Sequence, residues 1–114
     1  MSSPMRAEAI QVLTTTAEKK DAEALAQAVL DKRLAACVQI GGPIDSRYWW
    51  NNRVEKATEW TVTIKTRRDL YKPLENLLLE LHPYDQPEIM ATPLVEVSAG
   101  YLKWLCEQVE TRKN

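Results

Sequence analysis

The chain has 114 residues, 45% hydrophobic and 27% charged, with 15 basic and 16 acidic side chains and a formal net charge of −1. That length holds one hydrophobic core and not two, and the composition excludes wholesale disorder. The near balance of charge excludes a polycationic nucleic-acid grip, and no run approaches the roughly 20 apolar residues of a membrane span.

Residues 7–15 (AEAIQVLTT) alternate Ile10 and Val12 with polar Gln11, the period of a strand. Thr15-Thr16-Ala17-Glu18 then has the form of a capping box, with the Thr15 hydroxyl accepting from the Glu18 amide and Glu18 reaching back. Behind it Ala22, Leu25, Ala26, Val29 and Leu30 recur at helical spacing as one apolar stripe. From Ala35 the pattern becomes ACVQI, a strand that Gly41-Gly42-Pro43 is expected to break. Residues 44–50 and 53–59 flank Asn51-Asn52, which tolerate positive φ, so a hairpin is expected. In EWTVTIKT, Trp60, Val62 and Ile64 alternate with Thr61, Thr63 and Lys65, a strand with one buried face.

Leu70, Leu74, Leu77, Leu78 and Leu81 stripe a second helix, with Asp69 as its cap and Pro73 in the first turn, where a missing amide matters least. Pro83 ends that helix and puts His82 at or just beyond its last turn. Residues 89–97 hold another strand with LVEV as its regular part, and Ser98 caps a short final helix carrying Tyr101, Leu105 and Val109. One domain over 1–114 is expected, its core at about 7–110 and its ends, 1–6 and 111–114, loose. The start lacks the apolar stretch of a leader peptide, so a cytoplasmic protein is expected.

The order is β-α-β-β-α-β with a terminal helix. With one apolar stripe on each long helix, it packs as a single sheet carrying both helices on one face, an α+β ferredoxin-like sandwich. The other sheet face then lacks a cover, and the Trp49-Trp50 hairpin is too aromatic for a solvated edge. Self-association is expected.

Five strings in order and spacing resemble the CutA divalent-cation-tolerance family over residues 9–109: KRLAACVQI (32–40), SRYWWNN (46–52), EWTVTIKT (59–66), HPYDQPEI (82–89) and YLKWL (101–105). The resemblance implies a ferredoxin-like subunit, a tight homotrimer and a part in tolerance of copper or other divalent metals. It also implies likeness to the nitrogen-regulatory signalling trimers, which hold small molecules in clefts between subunits. Some bacterial members are credited with a metal site built from a cysteine near the end of the first strand and two adjacent histidines before the proline. Here those positions hold Thr14 and Leu81, and only His82 is retained. Neither threonine nor leucine replaces a thiolate or an imidazole toward copper.

The single histidine has three readings: a helix-ending residue bonded to nearby carbonyls, a metal ligand completed by another subunit, or a proton carrier. The candidate ligands for a divalent metal or copper ion are His82, Cys37 and Glu59, with Asp85 and Glu88 as further oxygen donors. Cys37 and Cys106 have no CxxC or Cys/His grouping and read first as small packed thiols. Lys65, Tyr84 and Glu88, with His82, are candidates to line an inter-subunit cleft for a small anion, although a long lysine commonly just snorkels to water. Tyr48, Trp49, Trp50 and Trp60 suit base stacking or an oligomer interface, and the few nearby cations favour the interface.

There is no Ser/His/Asp arrangement and no phosphate-cradling glycine loop, and nothing orients Cys37 against His82, so no enzyme is expected. The reading is a homotrimeric, non-enzymatic protein that binds a metal ion or small ligand and serves divalent-metal tolerance, with no nucleic-acid or membrane partner. The alternative is a signalling or scaffold trimer that holds a small organic anion between subunits.

Overall fold

Strand β1, Ala9–Thr16, comes first in the computed structural model, which describes residues 7–111. Of the loose ends expected, 1–6 and 112–114 lie outside the described residues. Period-2 alternation turns Ile10, Val12, Thr14 and Thr16 to one side, and all four are buried. Helices α1 (Lys19–Asp31) and α2 (Tyr71–Leu81) cover that side. Strands β2 (Cys37–Trp50), β3 (Arg53–Arg67) and β4 (Met90–Pro93) complete an antiparallel sheet in the order β2-β3-β1-β4, and helix α3 (Ala99–Gln108) follows. This is the α+β, ferredoxin-like order that the sequence pattern predicts.

The core lies between sheet and helices. Val12 and Ile64 oppose each other in register, and Ala22, Leu25, Val29, Leu70, Leu74 and Leu78 pack against them. Each fully buried leucine there stabilises by about 1.5–3 kcal/mol before chain entropy is counted. Among the described residues, no helix is long and apolar enough to cross a membrane.

Two expected caps do not form, and a third holds its position without a side-chain bond. Thr15 and Thr16 extend the ladder opposite Thr61 and Trp60, and the Thr16 hydroxyl donates to the Glu18 carbonyl at 2.8 Å. The cap position of α1 is Glu18, which makes no side-chain cap bond. Ladder pairing outcompetes the box there. Asp69 lies in a 3-10 turn, Arg68–Leu70, where Arg67 takes its carboxylate, and Leu70 holds the cap position of α2. Ser98 stands at the cap of α3, but its carbonyl is what accepts, from the Leu102 amide at 2.9 Å.

Gly41-Gly42-Pro43 does not end a strand either. β2 passes through it with a shift of register between Gly41 and Ile44 and a cis Gly42–Pro43 peptide. Gly42 sits at φ +136°, and a Cβ there would lie 3.0 Å from the Trp60 ring and 3.1 Å from the Glu59 carbonyl. Only glycine allows that approach. Asn51 and Asn52, at φ 51° and 60°, make the tight turn beyond it.

β1 leaves β3 at the Thr16–Trp60 pair, so residues 44–50 and 53–59 continue outward as a two-stranded ribbon. The ribbon stretches the molecule to 44 × 31 × 25 Å, and the radius of gyration is 15.0 Å where a compact chain of this length has roughly 13 Å. Trp49 is 74% exposed and Trp50 61%.

Residues 94–97, LVEV, are not strand. The Leu94 amide donates to the Ala9 carbonyl at 3.0 Å, and there β1 runs out. Val95 is 61% exposed. On the sheet face away from α1 and α2, Gln11, Leu13, Thr61, Thr63 and Lys65 stay partly exposed, and α3 covers only part of it with Leu105 fully buried.

Candidate functional site

Four segments meet where the ribbon leaves the sheet: the end of β1, β2 just past its bulge, β3 at Glu59, and the loop after α2. Pro83 disfavours helical backbone at His82, which turns extended at φ −68° and ψ 135° while its amide still closes the helix onto the Leu78 carbonyl at 2.8 Å. The ring is thereby carried to β1, where Nε2 lies 2.8 Å from the Thr15 carbonyl.

The backbone amide of Tyr84 donates to His82 Nδ1 at 3.1 Å. An amide can only donate, so Nδ1 is the bare nitrogen and Nε2–H donates to Thr15. The imidazole is neutral and both its nitrogens are committed. Burial holds its pKa below the ordinary value, outweighing the Thr15 carbonyl and the nearby charges of Asp21 and Glu59, which favour the proton. This is the helix-ending role among the readings open to His82, with a carbonyl supplied by a strand rather than the helix.

The Tyr84 ring lies 4.8 Å from the imidazole, and its hydroxyl donates to Glu59 Oε2 at 2.6 Å. Glu59 is only 9% exposed. Burial alone would raise its carboxyl, but the bond from Tyr84, the nearby Ser46 and Thr15 hydroxyls and the proximity of His82 hold it below the ordinary range. Burial and the bond to Glu59 push the Tyr84 phenol up. At neutral pH the cluster is thus a carboxylate ringed by donors, a protonated phenol and a neutral imidazole.

The remaining candidates stand elsewhere. Cys37 faces Lys65 across the β2–β3 ladder and lies near the Tyr101 phenol of α3. Lys65 donates from Nζ to Gln39 Oε1. Glu59 and Lys65 are six positions apart on one strand, about 20 Å at 3.3 Å per residue. The structure therefore brings together His82, Tyr84 and Glu59, and within one chain it leaves Cys37 and Lys65 on a separate patch. Asp85 and Glu88 are exposed on the loop. Thr14 is fully buried, and its hydroxyl has no partner among the described residues.

This donor set does not fit a metal ion within one chain. The one lone pair of neutral His82 is taken by the Tyr84 amide, and Glu59 Oε2 already accepts from the Tyr84 hydroxyl. Among the described residues no three of His, Cys, Asp and Glu are grouped to hold a cation.

Sequence reasoning missed Thr15, Ser46 and Asp21 at this cluster. It also missed the clamp on α3, where Arg67 donates to the carbonyls of Cys106 at 3.4 Å and Glu110 at 2.9 Å and Arg33 donates to that of Gln108 at 2.9 Å. Carbonyl acceptors have no residue signature, so no local signal pointed to either.

Residues 10–108 match the family model of the CutA1 divalent ion tolerance protein. A divalent-cation tolerance protein CutA from Pyrococcus horikoshii is 38% identical over 104 residues, covering 91% of this chain and 99% of its own. The solved CutA1 of Oryza sativa superposes with a TM-score of 0.90 at 34% identity, covering 93% and 97% of the two chains. The divalent cation tolerance protein Cut A1 of Thermus thermophilus gives 0.86 at 35% identity, covering 90% and 99%.

Proposed function

We infer the function from one premise: the chain belongs to the CutA1 divalent ion tolerance family. On it we propose a homotrimer that serves tolerance of divalent metal ions by binding rather than catalysis, with its ligand held where neighbouring copies meet. The observation that carries this is the incompleteness of one chain. Tyr48, Trp49, Trp50 and Val54 stand exposed on the ribbon, and the β-prone residues 94–97 have run past their ladder. A neighbouring copy that pairs with 94–97 and receives the ribbon covers both. Contact between two different patches is head-to-tail, and such contacts build rings where the rotation closes, as a trimer requires, rather than two-fold dimers.

A metal ion in this assembly draws donors from more than one chain. Cys37, Asp85 and Glu88 are the groups still free to serve, since His82 and Glu59 are bonded within their own chain. The second reading, a small organic anion, is favoured by Lys65, a cation on the partly open sheet face whose Nζ is bonded to a neutral side chain.

Light scattering at micromolar concentration tests the assembly, with a mass near three times 13.1 kDa expected and a single well-folded chain overturning it. Equilibrium dialysis with Cu(I), Cu(II) and Zn²⁺ tests the metal: a Kd weaker than about 10⁻⁵ M for all three would count against it. Thermal shift with nucleotides and metabolites tests the anion, because a ligand bound only by the folded state raises the midpoint.

A further inference from the structure

Past the Thr16–Trp60 pair the ribbon has only its own second strand for support, and an isolated two-stranded ribbon is marginal in water. Its root is also where the backbone is least regular. The register shift between Gly41 and Ile44 is a bulge, and bulges bend and twist a strand pair. The ladder alone therefore leaves the ribbon's angle to the sheet soft. Side chains supply the missing constraint.

Glu59 is the first ribbon residue on β3. Its buried carboxylate accepts from the Tyr84 hydroxyl on the loop after α2 at 2.6 Å, so the root of the ribbon is tied to a segment outside the ladder. The Tyr84 end is itself held, by the amide bond to His82 Nδ1 and by the imidazole, whose other nitrogen is fixed to the Thr15 carbonyl. A charged acceptor makes such bonds the stronger kind, and the buried groups left behind when one is cut find no water to replace it.

We propose that the bond from Tyr84 to Glu59 forms a strap that sets the angle of the ribbon against the sheet, and so aims Trp49 and Trp50 at a neighbouring copy. The strap belongs to the single chain, and only its consequence rests on the trimeric reading. Leverage makes it matter: the tip lies about 20 Å beyond the root, so a swing of ~10° moves it by ~3 Å. That is enough to unseat a packed aromatic ring.

The test uses the full chain with Tyr84→Phe, which removes the hydroxyl and keeps the ring and the amide, and Glu59→Ala, which removes the acceptor at the other end. Hydrogen–deuterium exchange reads the ribbon amides 47–56, and light scattering over a dilution series reads assembly. Tyr84→Phe is expected to speed exchange of 47–56 about tenfold, although those residues lie beyond the strap, and to raise the concentration at which the complex dissociates. Glu59→Ala is expected to do the same, and the double variant little more, because either change breaks the same bond. A change confined to residues 82–88, with the ribbon unaltered, overturns the strap even if the wild type is a trimer. A wild type that scatters as one chain, while its ribbon still responds to Tyr84→Phe, overturns the trimer and upholds the strap.

Discussion

Thr14 offers the most direct test of the packing between sheet and helices. It lies on β1 opposite Val62, fully buried, and its hydroxyl has no hydrogen-bond partner among the described residues. A buried hydroxyl without a partner costs about 1–3 kcal/mol relative to one left in water. Valine has the same branched shape with a methyl group in the hydroxyl's place, and it suits a strand equally well. Thr14→Val removes the desolvation cost and adds a buried methyl worth about 0.8 kcal/mol. Both effects have the same sign.

The substitution should therefore stabilise the protein by about 2–4 kcal/mol, with a Tm rise of about 4 °C for each kcal/mol in a domain of this size. Thr14→Ser keeps the hydroxyl, loses the methyl and should lose about 1 kcal/mol. Urea unfolding decides, with all variants at one protein concentration because the proposed assembly would make the midpoint concentration-dependent. The slope of the transition should stay constant while its midpoint moves up. A Thr14→Val protein no more stable than the wild type, beside a harmless Thr14→Ser, would show that the hydroxyl is satisfied and refute the reasoning.

His82 makes stability depend on pH in one direction. Its folded pKa is lowered below the ordinary 6.5, so the unfolded chain binds the proton more readily. The contribution is then complete above about pH 6.5 and is lost as pH falls from there through the lower folded value. His82→Gln should flatten the drop in Tm between pH 7 and pH 5, and a ring-proton NMR titration with a midpoint at or above 6.5 would contradict this. Trp49→Ala and Trp50→Ala should each raise the dissociation concentration of the complex by ~30-fold or more, as central aromatics do, with the far-ultraviolet circular dichroism of the chain unchanged. Full retention of assembly in both would exclude the ribbon from the interface. Arg67→Ala removes the bonds to the Cys106 and Glu110 carbonyls and should cost about 1.5–3 kcal/mol, with faster exchange across α3. Unchanged exchange there would mean that Leu105 and Val109 hold α3 by themselves.

Much of the fold was legible because periodicity reports burial. Val12, Val62 and Ile64 alternate on their strands, and Leu70, Leu74 and Leu78 recur at helical spacing, so each announces the face it buries. Asn51-Asn52 announced the turn, and Pro83 placed His82. The caps were misread because a side chain that can cap can also stay in a ladder, and the pairing of Thr15 with Thr61 is invisible from either segment alone. The site was legible only in its members. Glu59 and Tyr84 are 25 positions apart and His82 and Thr15 are 67 apart, and the Thr15 acceptor is a carbonyl that any residue would carry.

The failures of local reasoning are not scattered. LVEV has strand propensity and no strand, and the tryptophans of the ribbon have core chemistry and no core. Strand propensity reflects fit to a pleated, half-buried surface, so a segment that has it without such a surface points to one off the chain. His82 is the opposite case, ambiguous in sequence yet fully employed within the fold. A metal ion taking its Nδ1 lone pair would have to displace the Tyr84 amide and with it loosen the hold of Tyr84 on Glu59. Metal at this imidazole and a firmly held ribbon therefore oppose each other, and a cation that the assembled protein binds without coming apart must find its donors away from His82.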